Sequence, residues 1–209
     1  MIEILAAALV RFFARFVTAV RAESHGFWPD IRPRVYFANH ASHGDFLLVW
    51  TVLPAAVRNR TRPVAGADYW QKDGIRRFFG ERVFRAVLVE REAEKRTEDP
   101  ILQMVSALDE GLSLILFPEG TRNLTDMPLL PFKSGIYRLA LARPGLEMVP
   151  VWIANLNRVM PKGELIPVPL ICTVSFGTPL MLNATEEKTE FLERARTALL
   201  ALRPEAARP

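Results

Sequence analysis

The sequence contains few of the residues that build disulfide frameworks and metal centres. Cys172 is the one cysteine in 209 residues, so no disulfide forms within the chain, as is usual in a reducing compartment. It lies in an apolar run, where we expect a small buried hydrophobe. The chain has three histidines, too few for a two-metal hydrolase site, so we expect no metal. No Gly-x-Ser-x-Gly elbow supports a serine hydrolase at Ser42.

Long uncharged apolar runs are also absent. Arg11, Arg15 and Arg21 interrupt the first apolar stretch, so it is not expected to span a bilayer. No signal-peptide pattern precedes or follows it. The net charge of +4 suits an acidic substrate or an anionic membrane surface. We expect no nucleic-acid partner, because no basic stripe with interleaved aromatic residues is present.

Residues 2–22 have the pattern of an amphipathic helix. The polar residues of this stretch share a sector of about 120° on a helical wheel, and three phenylalanines lie in the wide apolar remainder. This pattern predicts a helix in a membrane interface, with its arginines near lipid phosphates. The alternative is a helix that packs its apolar face on the protein's own core. Gly26 and Pro29 should end the element, which gives an N-terminal helix over residues 1–26 and one further domain over residues 27–209.

The rest of the chain alternates apolar strand-like runs with helical patterns. Three of these runs, at residues 34–38, 86–89 and 113–117, each end in polar residues. Further strands are expected at residues 149–154 and 171–176, and a projecting loop or hairpin at residues 157–169. The expected fold is a single α/β domain with a mixed, mostly parallel sheet flanked by helices. Such a sheet gathers the polar strand ends at one edge, where open α/β sheets bind ligands.

The first of these strand ends carries His40 and, five residues later, Asp45. If the chain turns between them, the carboxylate can orient the imidazole and stabilise its protonated form. A histidine held in this way can remove a proton from a hydroxyl as a general base. The alternative is that the pair is only a helix cap and a surface residue.

The other two strand ends carry Arg91, and Glu119 with Arg122. Arginine side chains bind phosphate through two parallel hydrogen bonds. Together, the three strand ends predict a site that holds a phosphorylated ligand beside a histidine base.

These residues resemble the motifs of the glycerolipid acyltransferases, typified by 1-acylglycerol-3-phosphate acyltransferase. Asn39, His40 and Asp45 match the first motif, and the run from Phe117 to Arg122 matches the third without a change. Arg91 matches the second motif, although Arg85 stands where that motif usually has glycine. The run Val149-Pro150-Val151 matches the fourth motif. The resemblance covers roughly residues 35–155.

The resemblance implies transfer of a fatty acyl chain from an acyl thioester to the free hydroxyl of lysophosphatidate, which gives phosphatidate. It implies that His40 is the base and that Asp45 orients it. The implied phosphate-side residues are Arg91, Glu119, Gly120, Thr121, Arg122 and Lys133. Pro150 is expected on the acyl side. No cofactor is implied, because acyl-CoA or acyl carrier protein is a co-substrate. The partners are then a lysophospholipid and a membrane surface, with the protein peripheral or monotopic at the cytoplasmic face.

Two alternatives stay open at this point. The acceptor could be another lyso-lipid or glycerol 3-phosphate, or the chain could be an inactive lipid-binding protein on the same fold. His43 is either a second site residue or a capping or solvent-facing histidine.

Overall fold

A seven-stranded sheet forms the centre of the protein. The computed structural model describes residues 1–42, 44–90, 92–155 and 171–204. The strands are β1 (Arg21–Ser24), β2 (Val35–Ala38), β3 (Thr61–Gly66), β4 (Val87–Val89), β5 (Ser113–Leu116), β6 (Met148–Ala154) and β7 (Thr173–Phe176). Every strand predicted from the sequence is present. The predicted loop or hairpin at residues 157–169 lies outside the described residues.

The strand order is β1-β7-β6-β2-β5-β3-β4. The five strands from β6 to β4 in this order run parallel. β7 is antiparallel to β6, and β1 pairs parallel to β7. The predicted mixed, mostly parallel sheet is therefore confirmed. The carboxyl ends of β2, β5, β3 and β4 lie at one edge of the sheet, where the sequence predicts that the polar residues after the strands gather.

Helices connect the strands and cover the sheet. They are α1 (Ile2–Thr18), α2 (Asp45–Val52), α3 (Ala55–Arg58), α4 (Ala67–Trp70), α5 (Gly74–Arg77), α6 (Pro100–Asp109), α7 (Gly135–Ala142) and α8 (Lys188–Ala201), with a π-helix at Phe78–Val83 and a 3₁₀ turn at Ala93–Lys95. Local signals set several of these bounds. Asp99 caps α6 by accepting the backbone N–H of Ile101 at 2.9 Å, and Pro54 separates α2 from α3.

The sheet separates two hydrophobic cores. Along β2, Val35 and Phe37 pack with α6, α7 and α8 on one face, whereas Tyr36 and Ala38 pack with α2 and α3 on the other. All four side chains are fully buried. A strand covered on both faces shows a continuous apolar run instead of alternation, which is why residues 35–38 carry no charged side chain.

The N-terminal helix is shorter than the sequence predicts. It ends at Thr18, and Ala19 follows in the left-handed region with φ of 44°. The predicted helix over residues 2–22 is therefore wrong at its C-terminal end, and the expected boundary at residue 26 does not coincide with the end of the helix. Residues 21–24 form β1 because their backbone groups pair with β7, an interaction that outweighs local helical periodicity.

Helix α1 presents its large apolar side chains outward. Part of its polar sector faces the protein: Glu3 accepts a bond from Arg82, and Thr18 is buried and donates to the carbonyl of Ala14. The large apolar side chains of the opposite side are exposed, namely Ile2, Ile4, Leu5, Leu9, Phe12, Phe13 and Phe16. The alternative, in which the apolar face packs on the protein's own core, holds for part of that face. Ala6, Ala7, Val10 and Val17 pack against the core, whereas the large apolar side chains do not. None of the helices in the described parts of the chain combines the length and apolarity needed to cross a bilayer.

Candidate active site

His40 and Asp45 lie together at the carboxyl end of β2. The N–H of Asp45 donates to the carbonyl of Ser42, which turns the chain back, and Asp45 begins α2. Nδ1 of His40 is 2.8 Å from Oδ2 of Asp45. The Asp45 residue is 1% exposed, and the His40 side chain is 17% exposed. The turn expected from the sequence therefore brings the carboxylate onto the imidazole.

Backbone groups hold Asp45 as a hydrogen-bond acceptor. The N–H groups of Ala41 and Ser42 donate to the same Oδ2 at 2.6 and 2.8 Å. Because this oxygen accepts, Nδ1 of His40 must be the donor in their shared bond. In the neutral imidazole, Nε2 of His40 then carries the free lone pair that a general base needs.

Asn39 continues the β2–β6 ladder beyond the end of β2. Its side-chain Oδ1 accepts the backbone N–H of Ile153 at 2.7 Å, and its Nδ2 donates to the carbonyl of Ile153 at 3.0 Å. The asparagine side chain thus replaces a backbone peptide unit. It fixes the residue before His40 against β6.

Glu119 holds the backbone on both sides of the site. Its Oε1 accepts the N–H of His40 at 2.7 Å, and its Oε2 accepts the N–H of Leu130 at 2.8 Å. The residue is 2% exposed, and burial raises the pKa of its carboxyl, although the two backbone bonds oppose this shift. The carbonyl of His40 in turn accepts the N–H of Asn123 at 2.6 Å.

The third motif forms a tight turn directly after β5. The N–H of Gly120 donates to the carbonyl of Phe117, and Gly120 has φ of +68°. A Cβ on Gly120 would approach Cδ of Lys133 to 2.7 Å and so displace the end of this lysine side chain, and the positive φ itself favours glycine. The ring of Phe117 stacks on the imidazole of His40 with centroids 4.3 Å apart, which fixes the plane of the imidazole.

Two cavities meet at His40, which is the one described residue that lines both. The first has a volume of about 510 Å³ and a mainly polar wall that includes Asn39, Glu119 and Asn123. The second has a volume of about 520 Å³. One part of its wall is apolar and includes Phe46 and Trp70. The other part carries Gly120, Thr121, Arg122, Lys133 and Arg96.

The structure thus brings most of the predicted site residues together. Glu119 lines the first cavity with His40 and Asp45, apart from the predicted phosphate-side residues of the second cavity. Pro150 is buried in the middle of β6, paired with Phe37, and lines neither cavity. Arg91 and His43 lie outside the described residues. In the part of the chain that the structure describes, no three His, Cys, Asp or Glu side chains are grouped as metal ligands would be.

Sequence reasoning did not identify some residues around the site. Arg96 belongs to a charged run that reads as a solvated loop, yet it lines the second cavity and its Nε donates to the carbonyl of Glu90 at 3.0 Å. The sequence places Asn39 in the first motif and Phe117 in the third, but it does not indicate what either side chain contacts. A polar residue directly after an apolar strand was the available signal for Asn39, whereas the stacking of Phe117 on His40 depends on neighbouring strands.

Comparisons with known proteins identify a matching family and several similar proteins. The profile of the family described as Acyltransferase matches residues 20–154. A 1-acyl-sn-glycerol-3-phosphate acyltransferase of Cocos nucifera is 28% identical over 84% of this chain and 55% of its own length. A protein of the same name from Limnanthes douglasii is 31% identical over 70% of this chain and 50% of its own length. The chain therefore spans about half the length of these relatives.

The fold also matches a solved structure, the 1-acyl-sn-glycerophosphate (LPA) acyltransferase PlsC from Thermotoga maritima. The TM-score is 0.74 at 19% sequence identity, and the match covers 99% of this chain and 82% of that one. It supports the α/β architecture described above. Because the family profile covers well over half of the sequence, including the loops that carry His40 and Glu119, the chain belongs to the acyltransferase family.

Proposed function

We propose that this protein transfers a fatty acyl chain from an acyl thioester to the free hydroxyl of lysophosphatidate and so forms phosphatidate. The observation that carries the proposal is the 2.8 Å bond between His40 and a buried Asp45, at the point where two cavities meet. The names of the relatives supply the acceptor and the product.

The chemistry follows from the tautomer of His40. Nε2 removes the proton of the acceptor hydroxyl as its oxygen attacks the thioester carbonyl carbon, and Asp45 stabilises the resulting imidazolium. The tetrahedral intermediate then collapses, the carbon–sulfur bond breaks, and the imidazolium returns its proton to the thiolate. The products are an ester and a free thiol, on coenzyme A or acyl carrier protein. General-base catalysis of this kind contributes about 100- to 10,000-fold in rate.

The second cavity suits the phosphorylated acceptor. Arg122 and Lys133 are two cations in the wall that also holds His40, beside the backbone of Gly120 and the hydroxyl of Thr121. We extend this phosphate-side role to Arg91 from its place in the second motif. The apolar part of the same wall, which includes Phe46 and Trp70, suits a hydrocarbon chain.

Helix α1 provides the proposed contact with the membrane, at its cytoplasmic face. Its exposed apolar side includes Phe12, Phe13 and Phe16, of which Phe16 is 78% exposed. An exposed apolar patch of this kind marks an interaction surface. A lipid interface is the occupant that suits an enzyme with a lysophospholipid substrate, and it makes the protein peripheral or monotopic.

A product assay by mass spectrometry tests the reaction. The full chain in detergent micelles receives acyl-CoA or acyl carrier protein thioesters, with lysophosphatidate, other lysophospholipids and glycerol 3-phosphate as separate acceptors. We expect phosphatidate from the first acceptor, and at least about a 100-fold lower rate for His40→Ala. His25→Ala is the matched control, because His25 is exposed and lines neither cavity. Product from another acceptor alone would replace lysophosphatidate, and no product from any acceptor would favour an inactive lipid-binding protein.

Vesicle sedimentation tests the membrane contact separately. We expect the double variant Phe12→Ser with Phe16→Ser to bind vesicles at least about tenfold more weakly than the natural chain, because it loses two apolar anchors. The control pairs Leu102→Ser with Leu141→Ser, since these exposed leucines lie on α6 and α7, on the other face of the sheet. Equal losses in both double variants would reject α1 as the docking surface.

A further inference from the structure

The proposed reaction assigns no substrate to the first cavity at His40. Its volume of about 510 Å³ lies within the range of about 300–1,000 Å³ that is usual for small-molecule sites. His40 and the buried Asp45 both line it, so a ligand in this cavity reaches the reacting groups directly. The acceptor and the thioester must meet at His40. Because the acceptor is assigned to the second cavity, the first is left for a part of the acyl donor.

The proton transfers at His40 require the sulfur of the donor to lie close to the imidazole. Nε2 returns its proton to this sulfur as the carbon–sulfur bond breaks, so the two atoms come within hydrogen-bond reach. Beyond the sulfur, coenzyme A and acyl carrier protein carry the same arm, which contains amide groups, a hydroxyl and, at its far end, a phosphate ester. The arm is polar, whereas the acyl chain on the other side of the carbonyl is a hydrocarbon.

The wall of the first cavity suits a polar arm better than a hydrocarbon. Asn39, Asn123 and Thr125 line it, among other polar residues. A hydrocarbon in this cavity would remove polar groups from water and offer them no hydrogen bond in return. The apolar part of the second cavity, which includes Phe46 and Trp70, suits the acyl chain instead.

The first cavity also brings together two charged side chains from distant parts of the chain. Asp126 lies in the loop after β5, and Arg203 lies just after α8. Within residues 1–42, 44–90, 92–155 and 171–204, neither the carboxylate of Asp126 nor the guanidinium of Arg203 makes a hydrogen bond or an ion pair. In contrast, both oxygens of Glu119 are engaged by backbone N–H groups. Asp126 and Arg203 are therefore the charged groups of this wall that can contact a ligand.

These two charges match the two kinds of polar group on the arm. Arg203 is the one arginine or lysine in the described part of the wall, and a guanidinium binds phosphate through parallel N–H groups. The carboxylate of Asp126 is an acceptor only, so its partners are the amide N–H groups or the hydroxyl of the arm.

We propose that the first cavity binds the phosphate-terminated arm of the acyl donor, with Arg203 on the phosphate and Asp126 on the amide or hydroxyl groups. The inference rests on the proposed function, which supplies the thioester. It places the donor arm and the phosphorylated acceptor in different cavities that share His40. The arm has two sources, coenzyme A and acyl carrier protein.

Isothermal titration calorimetry of the full chain tests the arm site without turnover. The ligands are pantetheine 4′-phosphate and pantetheine, which lacks the phosphate. We expect the natural chain to bind the phosphorylated compound about tenfold more tightly, because a charge-assisted bond to Arg203 needs the phosphate. In Arg203→Gln the preference should fall below about twofold. This substitution does not alter Arg122 or Lys133, so an unchanged preference would place the phosphate in the second cavity and overturn the proposal.

Arg60→Gln is the matched control, because it removes the same charge from an exposed arginine that lines neither cavity. It should keep the tenfold preference, and an equal loss in both variants would attribute the effect to net charge and reject the role of Arg203. Asp126→Ala should weaken the binding of pantetheine, which has no charge, by at least about fivefold. An unchanged affinity for pantetheine would overturn the contact with Asp126.

Steady-state kinetics then tests whether this site serves the reaction. Arg203→Gln should raise KM for acyl-CoA about tenfold and leave KM for lysophosphatidate unchanged, whereas Lys133→Gln should do the reverse. A rise in KM for lysophosphatidate in Arg203→Gln would assign the first cavity to the acceptor and overturn the proposal.

The same comparison with acyl carrier protein thioesters identifies the source of the arm, since the natural donor is the one whose KM responds to Arg203→Gln. The binding assay separates this inference from the proposed function. If Arg203→Gln removes the preference for the phosphorylated arm but the natural chain transfers no acyl group to any acceptor, the arm site stands and the proposed reaction is rejected.

Discussion

The backbone N–H of His40 donates to Oε1 of Glu119 at 2.7 Å, so a buried carboxylate after β5 fixes the histidine after β2. The other oxygen of Glu119 holds Leu130 in the same way. Both acceptor oxygens of this side chain are therefore engaged by backbone groups. We infer from this arrangement that Glu119 positions His40, whereas its expected phosphate-side role stays a prediction.

We expect Glu119→Gln to lower both stability and kcat. The amide offers one acceptor oxygen in place of two, so its NH₂ group must face a backbone N–H, at a cost of about 1–3 kcal/mol. Urea unfolding measures the stability, and steady-state kinetics measures the activity. If the variant instead raises KM for the acceptor alone, with unchanged kcat and stability, Glu119 contacts substrate and does not position His40.

The raised pKa of Glu119 gives the same variant a signature in its pH dependence. Because the folded-state pKa lies above the ordinary value of 4.5, the folded protein binds this proton more tightly than the unfolded chain. The stabilisation by this proton is fully present below pH 4.5 and is lost as the pH rises through the pKa of the folded state. Glutamine does not titrate, so Glu119→Gln lacks this loss. Between pH 4.5 and the pKa of the folded state, the unfolding free energy of the natural chain should therefore decrease relative to that of the variant as the pH rises.

Arg85 has a strained backbone that a single substitution should relieve. It occupies the position where the second motif usually has glycine, and its φ of 50° is in the left-handed region. Its charge also lowers the pKa of Arg62, after the larger effect of burial. We expect Arg85→Gly to raise the free energy of unfolding by about 0.5–1 kcal/mol, or the Tm by about 1–4 °C.

Arg85→Ala separates backbone strain from charge repulsion with Arg62 as the cause of the instability, because it removes the charge and keeps the Cβ. If strain dominates, alanine should recover less stability than glycine. Equal stabilisation by both variants would show that charge repulsion, not backbone conformation, is the cause.

The sequence predicted those features that depend on local signals. The Asp99–Pro100 start of α6, the apolar strands and the turn between His40 and Asp45 are all readable from residues near one another. The features it missed depend on distant partners. Glu119 and His40 are 79 positions apart, and β1 exists because its backbone pairs with β7. No local pattern in Arg21–Ser24 distinguishes this strand from a continuation of α1.

Cys172 should be nearly unreactive in the folded protein. It is fully buried, and burial raises the pKa of its thiol from 9.0 to about 11. At a pH below both values, the thiolate fraction is then about 100-fold lower than in the unfolded chain. Alkylation by iodoacetamide at pH 8 should be at least that much slower in buffer than in urea. As the one cysteine, Cys172 gives a single labelled product by mass spectrometry, and comparable rates in the two conditions would contradict its burial.

Gly80 sets the position of Trp70 in the wall of the second cavity. A Cβ on Gly80 would approach Cβ, Cδ2 and Cε3 of Trp70 to between 3.0 and 3.1 Å. These atoms are not the free end of a flexible side chain, and the indole also packs edge-on against Phe46 and Phe84. Trp70 therefore cannot move without disturbing its aromatic neighbours.

We expect Gly80→Ala to destabilise the protein by about 1–3 kcal/mol through overpacking and to lower acyl transfer, because the cavity shared with His40 changes shape. Gly74→Ala is the matched control, since a Cβ at Gly74 has no neighbour within 4 Å. The control should be neutral or slightly stabilising, because alanine restricts the unfolded chain more than glycine does. Urea unfolding and the product assay compare the two variants. If they are equally stable and equally active, Trp70 is not held in place by Gly80.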